Sequence, residues 1–225
     1  MGFDFTVRSM EDLVDAVERF GIVPLFENSI RGFSVAEHVD PRCWFSGTED
    51  GAWEWKGPVI RESGCAYGKF FEKKAAFVRR DVFLDLANYR RDGYDFDARY
   101  DDGLASRQDK ELYELVEAHA PILSGRLKAI GNYRKGGRKG FDTSMNRLQA
   151  QCYLLISDFV YQEDRFGKRY GWGVAEYSTP ERWMGTDFSA HVYDRTPEES
   201  HARLLERLRE LCPRSDEKAL LRFLR

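Results

Sequence analysis

The sequence predicts an α+β fold that is mainly α-helical and carries small β-hairpins. Several long stretches place apolar residues three and four positions apart, which is typical of helices that pack through one face. Two shorter stretches alternate apolar and polar residues around a polar turn, which indicates hairpins. With 225 residues, of which 42% are hydrophobic and 14% aromatic, the chain can bury a sizeable core.

The helices are predicted from their caps and apolar stripes. Ser9, with Asp12 three residues later, is typical of a capping box, and Gly21 is expected to end the first helix. Asp81 is expected to cap a later one, and Pro121 separates two helices that follow the acidic, linker-like segment 92–103. The predicted helices cover residues 9–20, 34–39, 82–91, 104–120, 122–133, 142–152, 179–185, 196–212 and 215–225.

The strands are predicted in two hairpins. Residues 65–80 alternate well enough for a short one. Residues 154–161 are expected to pair antiparallel with 170–177 around a basic loop at 163–169. The stretch 43–64 is rich in Trp and Gly, so we expect it to be irregular.

The helix at 142–152 and the hairpin after it follow the local order of a winged helix, in which a reading helix precedes a β-hairpin wing. A degenerate form of that order is present in the first part of the chain. We therefore expect a tandem winged-helix architecture. Its predicted parts are a helical, degenerate winged-helix part at 1–92, a winged-helix domain at 104–190, and a helical tail at 195–225 that packs on the body.

Charge is distributed unevenly along the chain. The formal net charge is −3, yet the window from 126 to 147 carries a charge of +6, which leaves −9 for the rest. A localised basic stripe on an acidic body can bind phosphates, so we expect duplex DNA as the partner. A solvated, glycine-rich loop is the alternative. The basic residues of the window are Arg126, Lys128, Arg134, Lys135, Arg138, Lys139 and Arg147.

Helical geometry divides residues 142–152 into two faces, because an α-helix turns about 100° per residue. Met145 and Leu148 fall on the side expected to face the core, and Asp142 or Thr143 is expected to cap the helix. Polar side chains that can contact bases or phosphates fall on the other side. The predicted DNA-binding residues, with those of the loop and the wing, are Arg134, Lys135, Arg138, Lys139, Thr143, Asn146, Arg147, Arg165, Lys168 and Arg169. The alternative is an ordinary amphipathic helix with a polar outer face.

Composition argues against several other classes of protein. The four cysteines and four histidines are scattered, so neither a zinc site nor a disulfide framework is expected. No apolar run approaches the roughly 20 residues that span a membrane, and no signal peptide is visible, so a cytoplasmic protein without cofactor is expected. The oligomeric state stays open. Asp50, Glu54 and Lys56 have the outline of a metal-dependent nuclease site, if Glu54 and Lys56 share one face of a strand.

Five segments of the sequence together carry a resemblance to a known family: "WEWKG", "AYGKFFEKKAAFV", "NYRRDGYDFDARYDDGLAS", "LQAQCYLLISDF" and "YGWGVAEYSTPERWMG". Over roughly residues 22–186 the chain resembles the AlkZ-related branch of the AlkZ-like winged-helix family. The resemblance implies tandem winged helices. It also implies kinship with DNA glycosylases that excise alkylated or cross-linked purines, in which the amides of a Gln-x-Gln pair hold the attacking water and the lesion.

Gln149 and Gln151 match that pair locally, and the resemblance gives them the catalytic role. The family's pair lies near the start of a longer chain, whereas this one lies in the second half. On a regular helix the two side chains point about 200° apart, so we expect Gln149 to be buried and Gln151 exposed. A DNA-binding relative without glycosylase activity is thereby favoured. An active glycosylase on alkylated DNA and a protein-interaction module are the alternatives.

Overall fold

The computed structural model describes residues 3–44, 51–166 and 169–225, which form an α+β structure. About half of the chain is helical, and the six strands of the described part form one antiparallel sheet. The predicted α+β class is therefore confirmed. The predicted small hairpins, however, are joined into a single sheet rather than standing apart.

The first half of the chain begins with the predicted capping box. The Ser9 hydroxyl accepts a hydrogen bond from the Asp12 amide, and the Asp12 carboxylate accepts one from the Ser9 amide. Gly21, at φ 77°, ends the helix in the left-handed region that favours glycine. The elements are α1 (Met10–Phe20), β1 (Ile22–Pro24), α2 (Val35–His38), α3 (Lys56–Ser63), β2 (Ala66–Phe71), β3 (Lys74–Val78) and α4 (Arg80–Arg91), with a 3₁₀ turn at Pro41–Cys43.

The second half repeats the order of elements found in the first. Each half contains a helix, a short strand, two helices and a two-stranded hairpin, in that order. The elements of the second half are α5 (Phe96–Asp101), α6 (Arg107–His119), β4 (Ile122–Leu123), α7 (Ser124–Ile130), α8 (Phe141–Ala150), β5 (Leu155–Glu163) and β6 (Arg169–Ser178). In order, α6, β4, α7, α8, β5 and β6 correspond to α1, β1, α2, α3, β2 and β3.

The strand order in the sheet is β1-β3-β2-β5-β6-β4. In each half the short strand pairs with the second strand of the hairpin. The two halves meet where β2 lies beside β5, with Tyr67 opposite Ile156. The longer hairpin has the predicted antiparallel pairing, since Ile156 lies opposite Tyr177 and Gln162 opposite Tyr170.

Four helices follow the sheet: α9 (Pro180–Met184), α10 (Thr186–His191), α11 (Pro197–Leu211) and α12 (Glu217–Leu224). The ring of Phe223 is fully buried and stacks on Phe71 of β2 with centroids 4.3 Å apart. Arg203 of α11 donates to Asp85 of α4 at 2.9 Å. These contacts hold the last two helices against the hydrophobic core of the first half.

Three helices, α3, α5 and α10, lie where the sequence predicted none, and α10 buries Phe188. Residues 56–63 of the stretch expected to be irregular form α3, because Val59 and Ile60 are buried in the core and α3 packs against β5. Residues 96–101 of the linker-like segment form α5. There Asp95 caps the helix by accepting from the Ala98 amide at 2.8 Å, and Phe96 is buried in the second core cluster. Burial of a few apolar side chains outweighed local composition in each case.

Several helix starts also differ from the prediction, and the helix expected at 104–120 begins at Arg107, after its cap Ser106. The helix expected at 122–133 begins at Ser124, because Ile122 pairs with Tyr177 in the sheet. Arg79, not Asp81, precedes α4, and the Asp81 carboxylate pairs with the Arg79 guanidinium at 2.7 Å. Neither predicted cap of α8 lies at its start: Gly140, at φ 89°, precedes the helix. The loop therefore enters α8 through a left-handed turn that an Asp or Thr side chain would occupy with strain.

Candidate nucleic-acid interface

Helix α8 presents the predicted faces. Met145 and Leu148 are buried in the core of the second half, whereas Thr143 and Arg147 are exposed and Asn146 is half-buried. The apolar residues three positions apart place the helix on the sheet side, and the intervening polar residues are thereby turned outward. Thr143 and Asn146 are accordingly available to a partner on this face.

Arg147 makes a two-pronged contact within the protein. Its Nε and Nη2 atoms each donate to the Asp109 carboxylate of α6 at 2.8 Å. Burial would raise the pKa of Asp109, but hydrogen bonds from Arg147, Ser106 and Ser144 outweigh it and hold the pKa below its ordinary value. The Arg147 side chain is still 44% exposed, so one residue both braces α8 against α6 and reaches the surface.

The basic loop between α7 and α8 holds three unpaired cations. Arg134, Lys135 and Lys139 are exposed, and none of the salt bridges among the described residues includes them. Arg138 differs, because its Nη2 contacts Glu111 of α6 at 2.5 Å. The loop is anchored at its end, where the Gln108 amide donates to the Lys139 carbonyl at 2.8 Å. An ordered turn thus carries three cations directly before the start of α8.

The loop between β5 and β6, where the sequence predicts a wing, has one basic side chain among the described ones. Arg165 is exposed, and its guanidinium lies 4.7 Å from the centroid of the Phe166 ring, which is 79% exposed. Lys168 lies outside the described residues. Arg169 pairs with Glu163 through its backbone, and its side chain is not among those described. Within the described part, no hydrogen bond, ion pair or ring contact joins Arg165 to the loop or to α8.

Gln149 is a structural residue in this chain. Its side chain is buried, with Nε2 donating to the Met145 carbonyl and Oε1 accepting from the Lys69 amide, each at 3.1 Å. The Lys69 amide lies at a bulge of β2, where the pairing with β3 shifts register after Gly68. Gln149 therefore binds α8 to β2 of the other half, as the prediction of a buried glutamine requires.

Gln151 departs from the prediction, since it is half-buried rather than exposed. The helix ends at Ala150, and Cys152, at φ 60°, turns the chain into β5. Because Gln151 lies beyond the last helical residue, the 200° estimate for a regular helix does not fix its direction.

The nuclease outline at Asp50, Glu54 and Lys56 does not have the predicted geometry. Asp50 lies outside the described residues, and Lys56 is the first residue of α3 rather than part of a strand. The Lys56 amine is nearly buried, 3.3 Å from the Trp53 ring centroid and 4.5 Å from that of Phe159. The described residues contain no group of three His, Cys, Asp or Glu side chains that could hold a metal ion.

Burial sets the electrostatics of that lysine. It lowers the pKa of Lys56 to about 8, an effect that the nearby Glu54 carboxylate only partly opposes. Burial also raises the pKa of Glu54. The two rings favour the charged amine through cation–π attraction, and desolvation disfavours it.

Fold and site together define an α+β protein in which a polar helix face and a loop of unpaired cations are contiguous. The chain belongs to the family described as AlkZ related, whose profile matches residues 7–225. The predicted resemblance is thus confirmed, and it extends beyond 22–186 into the last helices. No curated protein and no solved structure matches the chain. Within the described ranges, no helix is long and apolar enough to cross a membrane.

Replacement of Gln149 tests its structural role. Gln149→Ala removes two buried hydrogen bonds and leaves the Lys69 amide without its acceptor, so the free energy of unfolding should fall by about 1–3 kcal/mol. Thermal denaturation should show this as a loss of about 2–4 °C per kcal/mol. The matched variant Gln151→Ala should stay within about 0.5 kcal/mol of the parent protein. Equal losses of unfolding free energy from both variants would contradict the structural role of Gln149.

Lys56→Met should alter how stability depends on pH. The folded-state pKa of about 8 lies below the ordinary lysine value of 10.5, so burial of the protonated amine opposes folding below pH 8. This destabilisation of the folded protein should decrease as the pH rises from 8 toward 10.5. The variant should therefore exceed the parent at pH 7 by an amount on the order of 1 kcal/mol, and the gap should close at high pH. Melting curves across this range would show it, with the exposed Lys218→Met as control. A gap that is constant with pH would be incompatible with a buried, titrating amine.

Proposed function

We propose that this protein binds duplex DNA through the loop 131–140 and the outer face of α8. One observation carries the proposal. Arg134, Lys135 and Lys139 are exposed, have no acidic partner among the described residues, and lie beside the polar face of a helix. On a chain whose remaining charge is −9, such a patch gives polyanions a local site of attraction.

The order of elements supports a tandem winged-helix reading of the fold. In each half a helix, a short strand and two helices precede a hairpin, and the short strand pairs with the hairpin's second strand. In such an arrangement α8 is the reading helix and β5–β6 the wing. We propose winged-helix parts at 1–92 and 104–190, followed by the helical tail at 195–225, in a cytoplasmic protein.

The proposed contacts divide into two kinds. The loop cations would neutralise phosphates and fix the orientation of the protein, whereas Thr143 and Asn146 would lie close enough to meet the bases. Arg147 would act mainly by holding α8 in place, because Asp109 already occupies both prongs of its guanidinium. Arg165, Lys168 and Arg169 would add backbone contacts from the wing.

Membership of the AlkZ-related family supports the proposal that this protein is related to DNA glycosylases. We propose a binder without glycosylase activity, since both polar atoms of the Gln149 amide hold structural hydrogen bonds and would have to leave them to position water. Active glycosylase on alkylated DNA is the second candidate. It is favoured by the local match of Gln149 and Gln151 and by the end of α8 between them, which frees Gln151 from helical geometry.

Salt dependence tests the proposed interface. The logarithm of the association constant for a DNA duplex should fall linearly with the logarithm of salt concentration. Replacing Arg134, Lys135 and Lys139 with Ala should reduce that slope by up to about 3, because each lost phosphate contact removes about 0.9. Fluorescence anisotropy with a labelled duplex at several salt concentrations measures both quantities.

A matched control removes the same charge elsewhere. Three exposed cations lie at the C-terminal end of the chain: Arg214 between α11 and α12, Lys218 on α12, and Arg225 directly after it. Their replacement by Ala should leave the slope unchanged. If both triple variants lower the slope equally, binding follows net charge and the proposed surface is wrong. If the parent protein binds no duplex at low salt, a protein partner becomes the better reading.

Base release separates the two candidate functions. Incubation with duplex DNA methylated at N7 of guanine should release no more base than the duplex alone, while anisotropy shows that the duplex is bound. Release that depends on Gln151, and is lost in Gln151→Ala while binding persists, would establish the glycosylase instead. Chromatography of the released base provides the measurement.

A further inference from the structure

An ionic cluster on α6 lies beside the proposed DNA interface. Two guanidinium groups from different elements hold the Glu111 carboxylate. Nε of Arg107, on the same helix, donates to Oε1 at 2.9 Å, and Nη2 of Arg138, in the basic loop, lies 2.5 Å from Oε2. Two guanidinium groups that converge on one oxyanion are also the usual means of binding a phosphate. Glu111 therefore occupies a place that suits a phosphate of DNA.

This cluster is continuous with the cations of the proposed interface. Lys139 directly follows Arg138, and its carbonyl accepts a hydrogen bond from Gln108, the neighbour of Arg107 on α6. The backbone also fixes Arg138, since its amide donates to the Asn132 carbonyl at 2.6 Å. A DNA strand bound to the loop cations would therefore pass close to both arginines.

The cluster is accessible from one side. A groove of about 540 Å³ lies beside it, lined in part by Glu111, Arg138, Leu115 and Ile130. Ile130 is exposed at the rim of this groove, and the Arg138 side chain is itself 41% exposed. A phosphate can therefore reach the guanidinium without a rearrangement of the backbone.

Exposure also makes the carboxylate replaceable. The Glu111 side chain is 31% exposed, whereas that of Asp109, which holds Arg147, is 3% exposed. Exposed ion pairs contribute little to stability, because water and salt screen them. Breaking a buried pair instead leaves an uncompensated charge. A phosphate can thus displace Glu111 from its arginines, but not Asp109 from Arg147.

The surroundings favour an anion between the two arginines. Arg107 lies in the first turn of α6, at the positive end of the helix dipole. The guanidinium of Arg138 lies 5.3 Å from the centroid of the Tyr133 ring, which helps to hold it in place when the carboxylate leaves. Arg138, followed by Arg107, holds the pKa of Glu111 below its ordinary value. The carboxylate is therefore charged at neutral pH and competes with phosphate as an anion.

We propose that Arg107 and Arg138 form a phosphate site of the DNA interface, and that Glu111 occupies this site in the free protein. The inference rests on the proposed DNA-binding function. When duplex DNA binds the loop, a backbone phosphate replaces the carboxylate, and Glu111 moves into the groove. Glu111 is thus an internal competitor that weakens DNA binding.

Fluorescence anisotropy with a labelled duplex at about 0.1 M salt tests the competition. Glu111→Gln keeps the shape of the side chain and removes the competing charge. It should tighten binding about tenfold, which is roughly what one phosphate contact contributes at this salt concentration. Glu114→Gln is the matched control, because it removes the same charge from the same helix but its ion pair is with Lys110. It should tighten binding by no more than about twofold, since salt screens an exposed charge.

A background without the two arginines separates competition from simple repulsion. In a chain that carries Arg107→Ala and Arg138→Ala, Glu111→Gln should gain no more affinity than Glu114→Gln. If Glu111 merely repelled DNA, the arginines would shield it, and its replacement would gain more once they are gone. The double Ala chain should also lower the salt slope by about 0.9, because one phosphate contact is lost.

Three results would each overturn the proposal: Glu111→Gln binds no more tightly than the control, it binds more weakly than the parent, or its gain persists without both arginines. Melting temperatures close to that of the parent would show that the variants are folded. The proposed function fails separately, when the parent binds no duplex or when the loop and C-terminal triple variants lower the slope equally. In that case the phosphate site is rejected with it.

Discussion

The buried guanidinium of Arg91 ties together three parts of the chain. It ends α4, donates to the carbonyl of Cys152 where α8 turns into β5, and pairs with Glu181 of α9. Burial opposes its charge, but Glu181 and Tyr193 outweigh that effect and raise the pKa of Arg91. Removing one member of such a buried pair leaves an uncompensated charge. The relative placement of the two halves and the following helices thus depends on this side chain remaining paired.

The second connection between the halves concerns α8 itself. Gln149 fastens it to the bulge of β2, and Arg147 fastens it to Asp109 of α6. Arginine and glutamine side chains commonly contact bases or hold water, but here Arg147 and Gln149 fix the position of the helix. The residues left for a partner are smaller or lie in the loop before the helix. The proposed DNA interface would rely on phosphate contacts more than on contacts with the bases, and its discrimination between DNA sequences would be modest.

Much of this architecture was predictable, and the misses have one physical source. The pairing of β5 with β6, the capping box at Ser9 and the faces of α8 all follow from patterns within about 25 residues. Helices α3 and α5 were missed because they are stabilised by packing against distant elements. The same holds for the site. The exposure of Arg134 and Lys135 was predictable from composition, whereas the pairing of Arg147 with Asp109, 38 residues away, was not. No local signal marked Arg91 as buried.

The sheet has a consequence for how the protein behaves at high concentration. Both of its outer strands are very short, and β1 ends in Pro24, which cannot donate to a further strand. Beyond its base, the long β5–β6 ribbon pairs with no further strand among the described residues, and unpaired strand edges are the kind of surface on which chains aggregate. Two register shifts, near Ile156 and near Val160, interrupt its ladder. Bulges of this kind twist a ribbon and spoil its match to an incoming strand, so the β5–β6 ribbon is poorly suited to recruit another copy.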